Sequence, residues 1–353
     1  MSDITQGNSS EARLLADEQF LRKIVSMYYK DGYSQETIAN REICSRQTVS
    51  KALQRAKDRG IVRISVVPDP RTGYLRHLSS EIRRKLNLEN LVLVPGRNFE
   101  NVRVDETIEE VVAEIAKAAA NYLDHLLTDS DILAVSGGRT FMRNVVHYLK
   151  PAKPLPHLQV VSTIGFVEPY TSFGDANLVA HDIAQAYHAS HTWYPVPAFI
   201  RRDRPGVSPK ALLEENSRSV IVGPAVQLCE KANIVMMGLW HPHTNDELIR
   251  RRILSREQIE EIEAFHPAVD INHWVFDAEG RCINEMIDPP LYYLTGLPIP
   301  RLKERIRAGV TKVILVAGAG PSYVPAIRAA LKAGLANILI TDHITAELLL
   351  SSE

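Results

Sequence analysis

Residues 45–62, SRQTVSKALQRAKDRGIV, combine side chains that can bind a polyanion with an apolar stripe. With Arg63, the segment holds six basic residues against one acid, Asp58. At helical spacing, one face gathers the apolar residues Val49, Ala52, Leu53 and Ala56. The other side presents amide, hydroxyl and cationic groups, which donate hydrogen bonds to DNA base edges and phosphates. The stripe would dock the helix and leave its polar side free to enter a major groove.

A second group of residues could hold a small ligand, because small side chains follow several predicted strands. Ser136, Gly137, Gly138, Arg139 and Thr140 come directly after the apolar run ILAV. Small residues let backbone amides approach an anion, and an arginine adds a bidentate donor. Similar strand ends supply Thr163, Gly165, Gly238, Gly318, Gly320 and Ser322. Together they predict a site for a phosphorylated small molecule, although loops between strands and helices need small residues in any case.

The composition is that of an ordinary globular protein and limits the other function classes. The 353 residues, 45% hydrophobic and 24% charged, suffice for two or three domains. No apolar run approaches the roughly 18 residues of a membrane helix, so no membrane partner is expected. The N-terminus lacks the features of a secretory signal, and the three cysteines form no paired motif. We therefore expect a cytoplasmic protein.

Charge is distributed unevenly along the chain. Residues 20–66 carry ten Lys and Arg against four Asp and Glu, a formal charge of +6. Because the whole chain is at −1, the remainder must be at −7. A small basic region joined to a larger acidic body indicates that only the basic region meets a polyanion.

Three helical patterns precede residue 60 and would position the basic face. The first covers DEQFLRKIVSMYYKDG, the second follows Ser34 and the third follows Ser45; both serines are candidate N-caps. This arrangement predicts a helix-turn-helix, followed after Gly60 by the β-rich run IVRISVV. The predicted DNA contacts are Ser34, Gln35, Ser45, Arg46, Gln47, Thr48, Ser50 and Lys51. A solvated basic helix in a three-helix bundle remains the alternative.

From residue 90 onward, short apolar runs alternate with helical patterns. Strands are predicted in NLVLVPG, ILAV, VVSTIGF, TWYPVPAFI, NIVMMG, VILVAGAG and NILITD, with a long helix over 106–127. This alternation predicts an α/β domain with a mostly parallel sheet covered on both faces. Ligands of such sheets bind outside the carboxyl ends of the strands, where the small residues lie.

The segment SQETIANREICSRQTVSKALQRAKDRGIVRI resembles the DNA-binding region of SorC-type sugar-responsive transcriptional regulators. The shared pattern is S-Q-x-x-I-A, then S-R-x-x-V-S, then a helix that ends in G-I-V. One departure lies in the turn, where the family has Leu-Gly and this chain has Glu42 and Ile43. A glycine at that point eases a turn with positive φ.

The resemblance continues through ILAVSGGRT, STIGF, VDINHWVFDAEG and NILITD, in the order of the SorC-type effector domain. That domain is similar in fold to sugar-phosphate isomerases and glucosamine-6-phosphate deaminases. It implies a sugar, polyol or sugar-phosphate effector held by Gly137–Thr140, Thr163, Gly165 and Asp270, and a homo-oligomer, with tetramers as dimers of dimers. The family's lysine in the last glycine loop is missing from GAGPSYVPAI, which favours an unphosphorylated or differently shaped sugar.

These observations divide the chain into four parts. They are a disordered tail at 1–16, an all-α helix-turn-helix domain at 17–66, a linker at 67–75 and an α/β effector-binding and oligomerisation domain at 76–353. The predicted function is regulation of a carbohydrate-utilisation operon through double-stranded operator DNA, modulated by a sugar-type effector. No cofactor, catalytic residue or metal site is predicted.

An enzyme related to the sugar-phosphate isomerases or deaminases is the main alternative. Its chemistry needs an acid and a base aligned on the open-chain substrate. The candidate residues are Asp270, His273, Asp277 and Glu285, but none lies in a motif tied to that chemistry.

Dinucleotide and metal binding are weaker alternatives. GAGPSY places Tyr323 where a dinucleotide fingerprint has its third glycine, although Asp342 follows at about the spacing of the ribose-binding acid. Metal ligands could come from two histidine groups, but neither has a third ligand at firm spacing. These groups are His241 and His243 with Asp246, and His181 with His188.

Overall fold

The structure, a computed structural model, describes residues 13–62, 71–97, 104–167, 175–201, 208–240 and 254–351. The chain separates into an N-terminal unit, Met1–Asp69, and a C-terminal unit, Pro70–Glu353. Each unit has its own hydrophobic core, which is what defines a domain.

Two serine caps begin the helices that matter most in the N-terminal unit. Its helices are α1 (Glu18–Val25), continued by a π-helical turn at Ser26–Lys30, then α2 (Gln35–Arg41) and α3 (Arg46–Asp58). The hydroxyl of Ser34 accepts a hydrogen bond from the Thr37 amide, and the hydroxyl of Ser45 accepts one from the Thr48 amide. Such caps satisfy amides that the first helical turn leaves unpaired. The three predicted helices and both predicted caps are confirmed.

An apolar stripe holds α3 against the other two helices. The buried apolar residues of this unit are Leu15, Phe20, Leu21, Ile24, Met27, Ile38, Ala39, Val49, Ala52, Leu53 and Ala56. They include all four residues predicted for the stripe of α3. Burial of a Leu or Ile side chain contributes about 1.5–3 kcal/mol, so this core determines which side of α3 faces outward.

The N-terminal boundary of this unit lies earlier than predicted. Residues 13–16 are helical, and Leu15 is buried in the core, so the predicted disordered tail at 1–16 is too long. The remaining tail residues, 1–12, lie outside the described residues. Leu14 also packs against this core, so two leucine side chains hold the turn in place.

The connection between the units also differs from prediction. After α3, the amides of Ile61 and Val62 both donate to the Ala56 carbonyl, so these two residues form a bend instead of starting a strand. Residues 63–70 lie outside the described residues. Helix α4 (Arg71–Lys85) occupies residues 71–75 of the predicted linker. Packing of α4 against the sheet outweighs the cost of a glycine in its first turn.

The C-terminal unit is built on a sheet with seven strands among the described residues. Their spatial order is β1 (Asn90–Val94), β11 (Ile338–Asp342), β10 (Lys312–Val316), β6 (Ile234–Met237), β2 (Ile132–Val135), β3 (Gln159–Ser162) and β4 (Ser190–Thr192). Every neighbouring pair is parallel. The predicted α/β class with a mostly parallel sheet is confirmed.

Helices pack on both faces of this sheet. The helices that follow α4 in the chain are α5 (Val104–Leu126), α6 (Met142–Tyr148), α7 (Ala176–Tyr187), α8 (Pro209–Arg218), α9 (Gly223–Lys231), α10 (Arg256–Glu263), α11 (Ile283–Met286), α12 (Ile299–Arg307), α13 (Tyr323–Lys332) and α14 (His343–Ser351). Val313 and Leu315 of β10 join one core, whereas Ile314 and Val316 join the other. Such strands appear in a sequence as continuous apolar runs. No helix in the described part of the chain has the length and apolar character to cross a membrane.

Two small antiparallel sheets lie beside the main sheet. β5 (Phe199–Arg201) pairs with β9 (Tyr292–Leu294), and β7 (Pro267–Ile271) forms a hairpin with β8 (Trp274–Asp277). The strand predicted over TWYPVPAFI, residues 192–200, therefore overlaps only the last residue of β4 and the first two residues of β5. Pro195 and Pro197 separate them because proline cannot donate to a strand ladder.

The direction in which the chain builds the main sheet changes between β2 and β6. After β2 the chain adds β3 and β4 on one side, and it later returns to add β6, β10 and β11 on the other. At such a point the loops that leave two adjacent strands diverge and open a crevice at the carboxyl edge. Ser136 follows β2 and Gly238 follows β6, so these residues mark the crevice.

The turn between α2 and α3 holds Ile43 in the left-handed region, with φ of 51°. Its side chain is 94% exposed, so it gains nothing from burial. The Cys44 amide donates to the Ala39 carbonyl and closes the turn. A β-branched residue with this backbone is strained, and the SorC-type pattern has glycine in this turn.

We predict that Ile43→Gly stabilises the N-terminal unit. Glycine adopts left-handed backbone without steric conflict, so the change should stabilise the unit by about 1 kcal/mol. In hydrogen exchange on the full-length protein, the amides of α3 should then exchange about fivefold more slowly. Asn40→Gly, at an exposed position inside α2, is the control and should accelerate exchange. Faster exchange in Ile43→Gly would show that the turn is not strained.

Candidate DNA interface and effector site

The outward side of α3 carries most of the residues predicted to contact DNA. Those exposed on it are Ser45, Arg46, Gln47, Ser50 and Lys51. The first turn of α3 holds no acidic residue, so the positive end of the helix dipole is not offset by a carboxylate. At the start of α2, Ser34 is exposed and Gln35 is half-buried. This surface is suited to phosphates at both helix N-termini and to base edges along α3.

Thr48 requires a correction. The sequence placed it among the DNA contacts, but it is only 4% exposed. Its hydroxyl lies 2.8 Å from that of Ser45, and its amide donates to the Ser45 hydroxyl at 3.0 Å. Thr48 therefore completes the N-cap of α3 and faces the core side of the helix.

Ser136 joins the two central strands at the crevice of the C-terminal unit. Its amide donates to the Met236 carbonyl, and its hydroxyl accepts a hydrogen bond from the Gly238 amide at 3.1 Å. The same hydroxyl donates to the Gly137 carbonyl at 3.0 Å. Because Ser136 is buried, these hydrogen bonds hold the first residues of the two loops at the same height along the strands.

The loop after Ser136 passes close to the loop after β6. Gly138 has a φ of 136°, in the region that favours glycine. A Cβ on Gly138 would lie 3.6 Å from the indole nitrogen of Trp240 and 3.7 Å from Cγ of Met142. A Cβ on Gly238 would lie 3.8 Å from the same Met142 atom. Arg139 and Thr140 are exposed at the rim of this crevice, and Gly137 is half-buried.

The sequence predicts a second anion-binding site at the last glycine loop. In the structure, this loop binds a carboxylate of the protein itself. Asp342 at the end of β11 is fully buried and accepts hydrogen bonds from the Ala319 amide, the Thr345 amide and the Thr345 hydroxyl. The Gly320 amide donates to that Thr345 hydroxyl at 3.3 Å. A Cβ on Gly318 would lie 2.8 Å from the Asp342 carboxylate.

The prediction that this loop binds an anion is therefore wrong for the amides of Ala319 and Gly320, because both already donate hydrogen bonds within the protein. Gly318 and Gly320 are needed so that the backbone can wrap around the side chain of Asp342, with φ of 150° and 140°. Ser322 is exposed and does not cap α13. The small residues of this loop serve an internal hydrogen-bond network.

Thr163, after β3, connects the main sheet to the β7–β8 hairpin. Its hydroxyl donates to the side-chain carbonyl of Asn272 at 3.1 Å, and its own carbonyl accepts from the Leu297 amide at 2.7 Å. Gly165 lies where the chain crosses another segment, because a Cβ there would be 2.1 Å from the Val196 carbonyl oxygen. Thr163 thus has a polar link to the site, whereas Gly165 is explained by close backbone packing.

Asp270, in β7, lies next to the crevice but is buried. Its backbone exchanges two hydrogen bonds with Trp240, at 2.8 and 3.1 Å, which ties the hairpin to the loop after β6. One carboxylate oxygen, Oδ1, accepts from the His273 amide at 2.8 Å. The other, Oδ2, lies 3.6 Å from Nδ1 of His273, which is beyond hydrogen-bond distance.

The other acid–base candidates do not join Asp270 and His273. Although burial opposes ionisation of Asp277, hydrogen bonds from the Arg281 amide and guanidinium and from the Glu279 amide lower the pKa of its carboxyl. Asp277 therefore organises its own turn. Glu285 is exposed on the short helix α11. Of the four candidates, only Asp270 and His273 are in contact. Their side chains do not form the hydrogen-bonded acid–base pair that proton-transfer chemistry needs.

The histidine groups considered for metal binding form no site among the described residues. His241, His243 and Asp246 lie outside the described residues. His181 packs against His191 with ring centroids 5.6 Å apart, and burial, followed by the proximity of His181, lowers the pKa of His191 to about 4. No group of three or more potential ligands is present in the described part of the chain.

Sequence reasoning missed Asn272 and Trp240 beside Asp270, and it considered His273 only as an acid–base candidate. Asn272 and His273 form the two-residue turn of the β7–β8 hairpin, and Trp240 packs edge-on against the His273 ring at 4.8 Å. A signal existed, because Asn-His between the alternating segments VDI and WVFD has the length of a tight hairpin loop. It was weak because the favoured second residue of that loop is glycine, not histidine.

Several known proteins share this architecture. The full-length sorbitol operon regulator SorC from Klebsiella pneumoniae has a TM-score of 0.69 at 21% identity, with 95% of this chain and 99% of that chain covered, which shows a shared fold. The deoxyribonucleoside regulator of Bacillus subtilis (strain 168) is 28% identical, over 95% of this chain and 98% of the relative. The transcriptional regulator LsrR of Escherichia coli (strain K12) is 25% identical, over 96% of each chain.

A family model described as "Putative sugar-binding domain" matches residues 71–351. This span begins at the first residue of α4 and ends at the last residue of α14, so it contains the whole sheet and the crevice described above. The chain belongs to this sugar-binding-domain family.

Proposed function

We propose that this chain regulates transcription of a carbohydrate-utilisation operon by binding operator DNA in response to a sugar-type effector. The observation that carries the proposal is the combination, in one chain, of an outward polar face on α3 and a C-terminal unit of the sugar-binding-domain family. The relatives named above are regulators, and each match covers at least 95% of this chain.

The N-terminal unit would read DNA through α3. Its exposed residues Arg46, Gln47, Ser50 and Lys51 would lie in the major groove, while Ser34 and Gln35 would bind backbone phosphates. We further propose a cytoplasmic homo-oligomer, with a tetramer as its form. Two N-terminal units would then bind the halves of a pseudo-palindromic operator, because a two-fold symmetric protein matches a two-fold symmetric site.

The C-terminal unit would bind the effector in the crevice between β2 and β6. The residues proposed to hold it are Ser136, Gly137, Gly138, Arg139, Thr140, Thr163, Gly238 and Asp270. An effector changes operator affinity only if it binds the DNA-competent and DNA-incompetent states with different affinities. The exposed guanidinium of Arg139 would supply a bidentate donor to effector oxygen atoms at the rim.

We predict that Gln47→Ala and Lys51→Ala weaken operator binding in different ways. Loss of a base contact by Gln47 should cost about 1–3 kcal/mol and relax sequence preference at one position. Loss of a phosphate contact by Lys51 should lower the dependence of log K on log salt by about one unit. Fluorescence anisotropy with DNA from the protein's own promoter region, over a salt series, measures both effects.

Matched substitutions in the C-terminal unit provide the controls for this experiment. Gln185 is exposed on α7, and Lys117 is exposed on α5, where it pairs with Glu114. Gln185→Ala and Lys117→Ala should leave operator affinity and salt dependence as in the unmodified protein. Unchanged affinity in both Gln47→Ala and Lys51→Ala would remove α3 as the recognition helix.

We predict that Arg139→Ala abolishes the response to effector while the protein still binds operator DNA. The guanidinium lies in the C-terminal unit, so its loss should leave the DNA-binding face intact. The measurement is release of labelled operator as effector is added. Arg83→Ala, which removes an exposed arginine near the amino end of β1, is the control. A normal response in Arg139→Ala would exclude the rim of the crevice as the effector site.

A further inference from the structure

The turn of the β7–β8 hairpin combines two features that cost stability. Asn272 and His273 have φ of 53° and 65°, so both central residues of the turn are left-handed. Two-residue hairpin loops of this kind favour glycine at the second position, and a residue with a side chain there costs about 1–2 kcal/mol. His273 is nevertheless held there by the Tyr292 hydroxyl, which donates to its carbonyl at 2.8 Å.

The imidazole of His273 is buried with an unsatisfied nitrogen. Its side chain is 1% exposed, and Nδ1 has no hydrogen-bond partner. The ring lies between Phe199 and Trp240, with centroids 4.6 and 4.8 Å away. A buried polar atom without a partner costs about 1–3 kcal/mol. Strained backbone and unpaired buried polar groups cluster at ligand-binding sites.

The carboxylate next to this nitrogen is also incompletely used. Asp270 Oδ1 accepts the His273 amide, whereas Oδ2 lies 3.6 Å from His273 Nδ1. Beside a carboxylate, a neutral imidazole favours the tautomer with its proton on Nδ1. The pair therefore offers one donor and one acceptor, too far apart to bind each other, yet close enough for a third oxygen to lie about 2.8 Å from both.

We propose that His273 and Asp270 together bind one hydroxyl group of an uncharged polyol, which makes His273 a residue that determines effector class. A hydroxyl accepts from Nδ1–H and donates to Oδ2, so it satisfies both atoms. An oxygen of a phosphate dianion only accepts, so it cannot donate to Oδ2 of Asp270. This inference takes the effector crevice of the proposed function as its starting point.

The last glycine loop supports an uncharged effector independently. Its Ala319 and Gly320 amides are bonded to Asp342 and Thr345, so they are not available to a phosphate. The segment from Ala317 to Ser322 contains no lysine or arginine. Asp270, within β7, and Asp342, at the end of β11, are both buried, and an ionised carboxylate at either position opposes a second negative charge nearby.

The test is isothermal titration calorimetry on the full-length protein with erythritol, xylitol, sorbitol and sorbose, and with the terminal phosphate of each. At least one uncharged compound should bind, with an affinity at least about tenfold higher than its phosphate. His273→Phe keeps a ring between Phe199 and Trp240 but removes Nδ1–H, and it should weaken that binding by at least about tenfold. Asp270→Asn keeps the acceptor for the His273 amide and should weaken binding to a similar extent.

Three outcomes overturn the inference. They are binding of phosphates only, binding of none of the eight compounds, and unchanged polyol affinity in His273→Phe or, if that variant does not fold, in His273→Gly, which relieves the left-handed turn. Failure of the proposed function appears in a different assay. In that case the bound polyol leaves operator binding unchanged in an anisotropy titration, while the calorimetric difference between the unmodified protein and the His273 variant persists.

Discussion

The hydrogen bonds of Ser136 join the two central strands where the sheet changes direction, and the rest of the C-terminal site depends on them. Because the amide and the hydroxyl of this one residue reach β6, the loops after β2 and β6 leave the sheet at the same level. Because Gly138 has no side chain, the loop after β2 can turn close to the Trp240 indole. Trp240 in turn pairs with Asp270 and brings the hairpin over the crevice. A parallel sheet alone would provide the carboxyl edge of the strands. It would not bring together the loop after β2, the loop after β6 and the β7–β8 hairpin.

The elements whose residues repeat with a regular period could be predicted from the sequence. The apolar stripe of α3, the caps at Ser34 and Ser45 and the strands with apolar residues on both faces are all local patterns, and the structure confirms them. Elements that depend on distant contacts were missed or misplaced. Helix α4 forms despite Gly73 because Leu78 and Ile82 pack into the sheet core. The hairpin pairs outside the main sheet, and its turn lacks the glycine that usually marks it.

The candidate site shows the same difference between local patterns, which the sequence reveals, and distant contacts, which it does not. Composition identified which loops contain small residues, but it could not say what those residues accommodate. Gly165 accommodates the Val196 carbonyl, Gly318 accommodates the Asp342 carboxylate, and Gly138 accommodates a turn beside Trp240. A glycine indicates that another group approaches the backbone closely. Only the fold shows whether that group belongs to a ligand or to another part of the chain. Thr48 is a parallel case in the N-terminal unit, because its hydroxyl is used by the helix cap and not by the outer face.

Asp342 and Asp270, two of the buried carboxylates of the C-terminal unit, differ in how completely their oxygens are hydrogen-bonded. Asp342 accepts three hydrogen bonds, from two amides and one hydroxyl, and these compensate for its removal from water. The Asp270 carboxylate accepts a hydrogen bond from the His273 backbone amide through Oδ1, and its Oδ2 lies beside an unpaired imidazole nitrogen. If both acids served only the fold, selection for stability would favour full pairing at each. The incomplete set at Asp270, next to a strained turn, is the observation on which the proposed polyol contact rests.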